Sequence, residues 1–499
     1  MAERGVVAAG HPLTARAGAE LLRAGGNAVD AAVAAMLTSF VAEPMLTGLG
    51  AGGYLLVAPP GGEPVLVDFF VESPGRGVDP SGRAPLLPVE VSFGDAVQVF
   101  HAGAASCAVY GAPAGVAEAA KRFGTAPLAE LTAPASALAR RGVRVNEQQA
   151  YVFSLLTGII GSTSQARARY LVDGRPPREG DLLADPDLAD ALDRLGAEGA
   201  APFYTGDIGT AVADWVRGQG GTLSREDLAA YQVMPREPVQ VSYGGRQVYT
   251  NPPPSAGGLL VAEALALLAG TAASRGGGPP DEVALAGALL AAQPSRPPTP
   301  PPTDAEAAAE LAAPARRANR LGSTTHISVI DADGWACSVT CSNGEGSGLV
   351  VPGTGVHVNN MMGEEDLSPR GLLTHPPGLR LPSMMNPTVV ARDGAAELVL
   401  GSAGSSRIRS ALVQVIVNVI DRDMQAQEAV DAPRLHAQDG LVYVEPGIDV
   451  TALRAAGHPV TRFRAPNLFF GGCQAVQRHR TGALTGAGDP RRGGAVAVA

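Results

Sequence analysis

The chain has 499 residues, of which 38 are Lys or Arg and 48 are Asp or Glu, so its net charge at pH 7 is −10. This acidic balance repels phosphate backbones and anionic membrane surfaces, which excludes general nucleic-acid binding. Hydrophobic residues make up 45% of the chain and charged residues 17%, a composition too apolar for a disordered protein.

The sequence indicates no membrane segment, metal site or cofactor. Its longest apolar stretches fall short of the roughly 18 residues that cross a bilayer, and the first residues lack the apolar run of a secretory signal, so we expect a cytoplasmic protein. The His and Cys residues lack metal-ligand spacing. Four scattered cysteines are too few for a disulfide framework, and we expect reduced, partly buried thiols at Cys107, Cys337, Cys341 and Cys473.

Helices dominate the elements predicted for the first part of the chain. Apolar residues at helical spacing predict a helix over 13–23 and an almost uncharged, buried helix over 28–40. The glycine-rich loop 48–53 follows a helix and precedes a predicted strand, 54–58. This order is the reverse of a phosphate-binding loop, so close backbone packing is the better interpretation. Further helices are predicted at 128–140, 147–156, 207–218, 225–231 and 259–268, and a strand pair at 239–250.

A change in composition separates these helices from a part of the chain richer in strands. The Pro/Gly-rich stretch 271–322 predicts a flexible boundary. Beyond it, a hairpin is predicted with strands at 325–331 and 335–341. Strands then follow at 355–358, 387–392 and 396–401, and a helix at 408–420.

Two segments of this second part contain residues suited to catalysis. In Gly322-Ser323-Thr324-Thr325-His326, two threonines open a strand, which alone indicates only β-propensity. A threonine freed by cleavage of the preceding peptide bond, however, gains an α-amine beside its hydroxyl, so one residue supplies both nucleophile and base. The small-residue turn 401–408 leads from a strand into a helix, where it predicts a side-chain cap, a set of N–H groups for an oxyanion, or both.

Motifs spread over nearly the whole chain resemble the γ-glutamyltranspeptidase family. They include Gly25-Gly26-Asn27-Ala28-Val29-Asp30, Glu43-Pro44, Pro253-Pro254-Ser255-Ala256-Gly257-Gly258, Thr324-Thr325-His326, Asn359-Asn360 and Gly401-Ser402-Ala403-Gly404-Ser405-Ser406-Arg407. The resemblance implies an α+β fold, the four-layer αββα sandwich of the N-terminal-nucleophile (Ntn) hydrolases, made as a self-cleaving precursor. The cut would lie between Ser323 and Thr324 and would give a large, mainly helical subunit, 1–323, and a small, strand-rich subunit, 324–499, which associate as a heterodimer.

The resemblance also implies roles for individual residues. Thr324 would be the nucleophile and Ser342 the hydroxyl residue that supports it, while Gly404 and Ser405 match the pair that stabilises the oxyanion. Three further residues match positions that bind the donor: Asn343 and Asp366 on its α-amino group, and Ser383 on its carboxylate.

Two positions depart from the family pattern. Phe70 stands where the family has an Arg that binds the donor α-carboxylate, and Met384 replaces a serine of the carboxylate pair. A carboxylate that loses a bidentate Arg loses charge-assisted hydrogen bonds that Phe cannot supply. Arg76, six residues further on, is the candidate replacement.

The resemblance therefore implies a self-processing γ-glutamyl transferase or hydrolase. It would act on γ-glutamyl amides such as glutathione through an acyl-enzyme on Thr324, with water or an amine as acceptor and without a cofactor. Two alternatives stay open. One is an acylase of the same fold for glutaryl or related acyl amides, which Phe70 and Met384 favour, and the other is an unprocessed binding protein without activity.

Overall fold

Two antiparallel β-sheets form the centre of the computed structural model, which describes residues 3–92, 97–274, 278–293, 324–368 and 370–499. In spatial order, the first sheet consists of Ala495–Val498, Gly5–Ala9, Thr325–Asp331, Ala336–Ser342, Gly52–Ala58, Val65–Phe69 and Met234–Arg236. The second consists of Leu484–Ala487, Gly472–Arg478, Ala395–Ala403, Thr388–Arg392, Arg246–Thr250 and Val239–Tyr243. Segments before and after residue 323 share both sheets.

Helices cover the outer side of each sheet. The helices of the described residues are Pro12–Arg23, Ala28–Ala42, Ala112–Phe123, Leu128–Arg141, Glu147–Leu155, Thr157–Ile160, Ser164–Tyr170, Pro186–Glu198, Ala201–Tyr204, Asp207–Gly218, Arg225–Ala230, Ala256–Ser274, Glu282–Ala291, Arg407–Ile420, Ala426–Asp431 and Val450–Ala455. Helix Ala28–Ala42 packs on the first sheet and Arg407–Ile420 on the second, while Thr325–Asp331 contacts Ala395–Ala403 between the sheets. The predicted αββα sandwich is confirmed.

The central strands are buried on both faces, which explains their continuous apolar sequences. Val7 and Ala9 lie in the core under the first helical layer, whereas Val6 and Ala8 lie in the core between the sheets. Alternate residues of a strand point to opposite faces, so both sets must be apolar.

Smaller sheets complete the fold. They pair Leu87–Ser92 with Val97–Ala102, Val143–Arg144 with Leu182–Leu183, Val350–Val351 with Val356–His357, and Leu435–Gln438 with Leu441–Val444 and Val460–Arg462. No helix within the described ranges is long and apolar enough to cross a membrane. The same ranges contain no group of three His, Cys, Asp or Glu that forms a metal site, and all four cysteines are buried and free.

The elements next to the predicted cut agree with the sequence pattern, except in the boundary. The hairpin of Thr325–Asp331 and Ala336–Ser342 is confirmed. Within the predicted boundary 271–322, Glu282–Ala291 is a helix that buries Leu285 and Leu289 against Ala256–Ser274. Burial of its apolar residues stabilises this helix despite the proline-rich sequence on either side. Residues 275–277 and 294–322, and with them Ser323 at the predicted cut, lie outside the described residues.

Candidate active site

A pocket lies where several strands of the first sheet begin or end. Thr324 precedes the strand Thr325–Asp331, Ser342 ends Ala336–Ser342, and Phe70 directly follows Val65–Phe69. Neighbouring strands are antiparallel, so these three positions meet at the same edge. The full lining is Phe70, Thr324, Ser342, Met361, Glu364, Asp366, Leu367, Ser383, Met384, Met385, Ser405 and Ile408.

The strand register places the predicted nucleophile beside its predicted supporting hydroxyl. Thr325 pairs with Cys341, and continuing that register by one residue sets Thr324 opposite Ser342. Both residues are 5% exposed and line the pocket. The Ser342 hydroxyl accepts a hydrogen bond of 3.1 Å from the Gly344 N–H, which orients it at the end of its strand.

The turn at Gly404 and Ser405 presents backbone N–H groups at the start of helix Arg407–Ile420. Both residues have positive φ, +126° for Gly404 and +51° for Ser405. No acceptor among the described residues takes the N–H of either one. An oxyanion beside Thr324 would find hydrogen-bond donors of the kind that stabilise tetrahedral intermediates.

The alternative prediction of a side-chain cap at this turn is wrong. Ser406 occupies the cap position, but its hydroxyl accepts no hydrogen bond from a helix N–H and donates to Gln438 Oε1 at 2.7 Å. The Ser405 hydroxyl donates to the Asp366 carboxylate. The helix N-terminus therefore has no side-chain cap.

The predicted donor-binding residues divide into two groups. Asp366 and Ser383 line the pocket, and the Ser383 hydroxyl accepts the Met385 N–H at 3.0 Å. Asn343 is fully buried and does not line the pocket. Its Nδ2 donates to the His357 carbonyl at 3.3 Å, while its Oδ1 accepts no hydrogen bond from the described residues.

The described residues of the pocket lining carry negative charge but no positive charge. They include two carboxylates, Glu364 and Asp366, and no Arg, Lys or His. Phe70 and Met384 both face the pocket, at the positions where the family has polar groups for a carboxylate. Arg76 does not replace the missing Arg, because its guanidinium lies 3.4 Å from Glu72 and 3.6 Å from Asp227 and does not line the pocket.

Sequence reasoning missed Glu364 and the apolar residues Met361, Leu367, Met385 and Ile408. The available signal for Glu364 was the extra length of Gly363-Glu364-Glu365 before Asp366, which shifts a second carboxylate to the pocket. The apolar residues come from three segments and carry no local pattern that marks a pocket.

His326, two residues after Thr324, is not a general base of this site. Its ring nitrogens bond the hydroxyls of Thr340 at 2.8 Å and Ser328 at 2.9 Å. Burial lowers the pKa of His326 to about 3, so the ring is neutral at physiological pH. This histidine packs between the two sheets, where its hydrogen bonds stabilise the strand Thr325–Asp331.

Comparison with known proteins agrees with this geometry. The gamma-glutamyltranspeptidase family profile matches residues 14–285 and 291–499. An acylase ACY 1 proenzyme of Pseudomonas sp. (strain SE83) is 34% identical over 513 residues, covering 97% of this chain and 91% of the relative. A glutathione hydrolase proenzyme of Escherichia coli (strain K12) is 30% identical, covering 98% and 91%.

The fold matches a solved structure over almost its full length. A cephalosporin acylase from Bacillus halodurans superposes with a TM-score of 0.82 at 28% identity, covering 99% of this chain and 96% of that one. Both glutathione hydrolases and acylases are thus among the relatives. The chain is a member of the γ-glutamyltranspeptidase family of Ntn hydrolases.

Proposed function

We propose that this enzyme is an amide acylase whose acyl donors lack the α-carboxylate of a γ-glutamyl group. One observation carries the proposal: Phe70 and Met384 line the pocket that holds Thr324, and its described lining has no cationic side chain. A carboxylate moved into such a pocket loses its hydration and gains no charged partner. The 34% identity to an acylase supports amide acylase chemistry. A glutaryl group keeps the carboxylate, so the glutaryl donors considered from the sequence are not among the proposed donors.

The proposed chemistry begins with self-cleavage. The Thr324 hydroxyl attacks the Ser323 carbonyl, and water hydrolyses the resulting ester, which leaves Thr324 with a free α-amine. In turnover, the same hydroxyl attacks the amide carbonyl of the donor. The α-amine accepts the hydroxyl proton and passes it to the leaving amine, the Gly404 and Ser405 N–H groups stabilise the oxyanion, and water or an amine resolves the acyl-enzyme.

A γ-glutamyl donor is the second candidate, and the acidic side of the pocket favours it. Asp366 and Glu364 line the pocket. A carboxylate suits the α-ammonium of a glutamyl group. The same groups suit an amine-bearing donor that has no carboxylate.

Four matched anilides separate these possibilities. The γ-glutamyl anilide carries both an ammonium and a carboxylate, the glutaryl anilide only the carboxylate, the 4-aminobutyryl anilide only the ammonium, and the butyryl anilide neither. We expect removal of the carboxylate to raise kcat/KM in both pairs. Removal of the ammonium should lower kcat/KM, because the donor then loses its charge-assisted contact with Asp366.

The ratio within each pair is the measurement, because it cancels differences in enzyme concentration and in the common leaving group. A charge-assisted hydrogen bond is worth about 1.5 to 3 kcal/mol, so a pocket that binds the carboxylate would favour the γ-glutamyl anilide about tenfold to hundredfold. That result would replace the present proposal with γ-glutamyl transfer or hydrolysis.

A further inference from the structure

A buried carboxylate contacts the residue next to the nucleophile and has no part in the proposed reaction. Glu43 follows helix Ala28–Ala42 and is 1% exposed. Its Oε2 accepts a hydrogen bond of 2.8 Å from the hydroxyl of Thr325, the residue next to Thr324. Its Oε1 accepts another of 3.0 Å from the hydroxyl of Thr14. Glu43 thus joins helix Pro12–Arg23 to the first residue of the strand that follows the nucleophile.

The surroundings of this carboxylate leave it little freedom. A Cβ at Gly10 would lie 2.7 Å from Glu43 Oε2 and 3.1 Å from the Thr325 hydroxyl, so only glycine allows this approach of the backbone. Burial raises the pKa of Glu43 to about 7, against the Thr325 and Thr14 hydrogen bonds and the positive charge of Arg492, which lower it. Arg492 is the charged side chain that acts on Glu43 within the described residues.

Cleavage gives the contact with Thr325 its importance. Once the bond before Thr324 is broken, the strand begins at the nucleophile and is held at this end only by its ladder and its side-chain contacts. Successive residues of a strand point to opposite faces, so the Thr325 hydroxyl is anchored on the face away from the Thr324 side chain. Holding it fixes the backbone from which the Thr324 hydroxyl and α-amine project.

We propose that Glu43 is a positioning residue that holds the new N-terminus in the pocket through Thr325. The proposal rests on Thr324 as the nucleophile and is independent of the acyl group that the enzyme accepts. Ionised Glu43 accepts both hydroxyl hydrogen bonds, whereas the protonated form has one oxygen that donates. The value of kcat should therefore rise with pH as Glu43 ionises, alongside the α-amine that cleavage creates at Thr324.

Thr325→Val and Thr325→Ser form the decisive matched pair, because valine keeps the shape and serine keeps the hydroxyl. In cleaved protein, we expect Thr325→Val to lower kcat about tenfold to hundredfold, as for a displaced catalytic group, with little change in donor KM. Thr325→Ser should restore most of the loss. The inflection of Glu43 in the kcat profile should disappear both in Thr325→Val, which removes the link to the nucleophile, and in Glu43→Gln, which removes the titrating group.

A second readout does not depend on turnover. Modification of the Thr324 α-amine by an acid anhydride, followed by mass spectrometry of the N-terminal peptide, should be several-fold faster in Thr325→Val than in wild type or Thr325→Ser. If wild type cleaves itself but hydrolyses none of the four anilides, the proposed donor class fails, and this labelling rate alone decides the role of Glu43.

Three outcomes overturn the proposal. One is a folded, cleaved Thr325→Val protein with wild-type kcat, pH profile and labelling rate. Another is a loss in Thr325→Val that Thr325→Ser shares, which would indicate a packing effect. The third is wild-type protein that never cleaves, which removes the N-terminus that Glu43 would hold. If Glu43→Gln does not fold, the Thr325 pair still decides.

Discussion

The ring of Phe70 stacks on the ring of Tyr54, with centroids 5.3 Å apart and planes inclined by 24°. The Phe70 carbonyl accepts hydrogen bonds from the Tyr231 hydroxyl at 2.8 Å and from the Arg380 guanidinium. Arg380 in turn lies 3.3 Å from Glu72, away from the pocket lining. Contacts of both its ring and its backbone carbonyl therefore fix the position of Phe70. Tertiary packing thus keeps this apolar side chain in the pocket lining.

Replacing the Phe70 ring with a cationic side chain should change the preference among donors. In Phe70→Arg, we expect kcat/KM for the γ-glutamyl anilide to rise about tenfold relative to the 4-aminobutyryl anilide, since the new guanidinium can pair with the carboxylate. The nearby positive charge of Arg380 keeps the gain at the low end. Phe70→Leu removes the ring without adding charge and should leave the ratio unchanged. An unchanged ratio in folded Phe70→Arg would show that position 70 does not face the donor carboxylate.

The nucleophile assignment predicts linked effects on processing and turnover. Thr324→Ala removes the hydroxyl and should abolish both, whereas Thr324→Ser should keep some of each. A denaturing gel and mass spectrometry of the purified wild type should show two chains, the second beginning at Thr324. Intact wild type after long incubation would instead support the unprocessed binding protein.

If the N–H groups of Gly404 and Ser405 stabilise the oxyanion, we expect a large loss of kcat in Gly404→Ala and a smaller loss in Ser405→Gly. A Cβ at Gly404 would lie 3.0 Å from the Gly471 Cα, at a φ of +126° that side chains rarely adopt, so Gly404→Ala must shift the N–H groups. We expect a loss in kcat of about a hundredfold or more, as for a lost oxyanion donor. Ser405→Gly keeps the N–H and should lose much less. Thermal unfolding of both variants controls for stability, and equal losses would argue against backbone donors at this turn.

The raised pKa of Glu43 predicts that the free energy of unfolding falls as pH rises. The ordinary pKa of 4.5 is raised to about 7 by burial, so the folded chain holds this proton more tightly than the unfolded chain. This contribution is complete below about pH 4.5 and is lost as pH rises through about 7. Relative to Glu43→Gln, the free energy of unfolding should fall by up to about 1.4 kcal/mol per pH unit within that window.

Urea denaturation between about pH 5 and pH 7 measures this difference, in the Thr324→Ala background so that the chain remains in one piece. His11 and His326, whose burial lowers their pKa values to about 4 and about 3, are present in both proteins, so their contributions cancel. A difference that does not vary with pH would contradict a raised pKa at Glu43.

Local patterns in the sequence predicted much of the secondary structure and part of the site. The hairpin 325–341, the strand-to-helix turn at Gly404 and the position of Thr324 each depend on neighbouring residues. Asn343 matches a donor-binding position of the family in sequence, but its side chain donates to the His357 carbonyl and does not line the pocket. A match to a local motif therefore did not determine the contacts of this side chain. Glu364 was missed because the extra length of Gly363-Glu364-Glu365 does not by itself show which carboxylate reaches the pocket.

By itself, the sequence determined the chemistry available: a threonine at the start of a strand, a glycine turn before a helix, and Phe in place of Arg at position 70. Only the tertiary structure decided which groups meet. The antiparallel register brings Thr324 opposite Ser342, and the packing of helix Ala28–Ala42 on the first sheet brings Glu43 within 2.8 Å of Thr325, 282 residues away. Contacts of that range depend on strand pairing and core packing over the whole chain, which residue patterns along a segment do not contain.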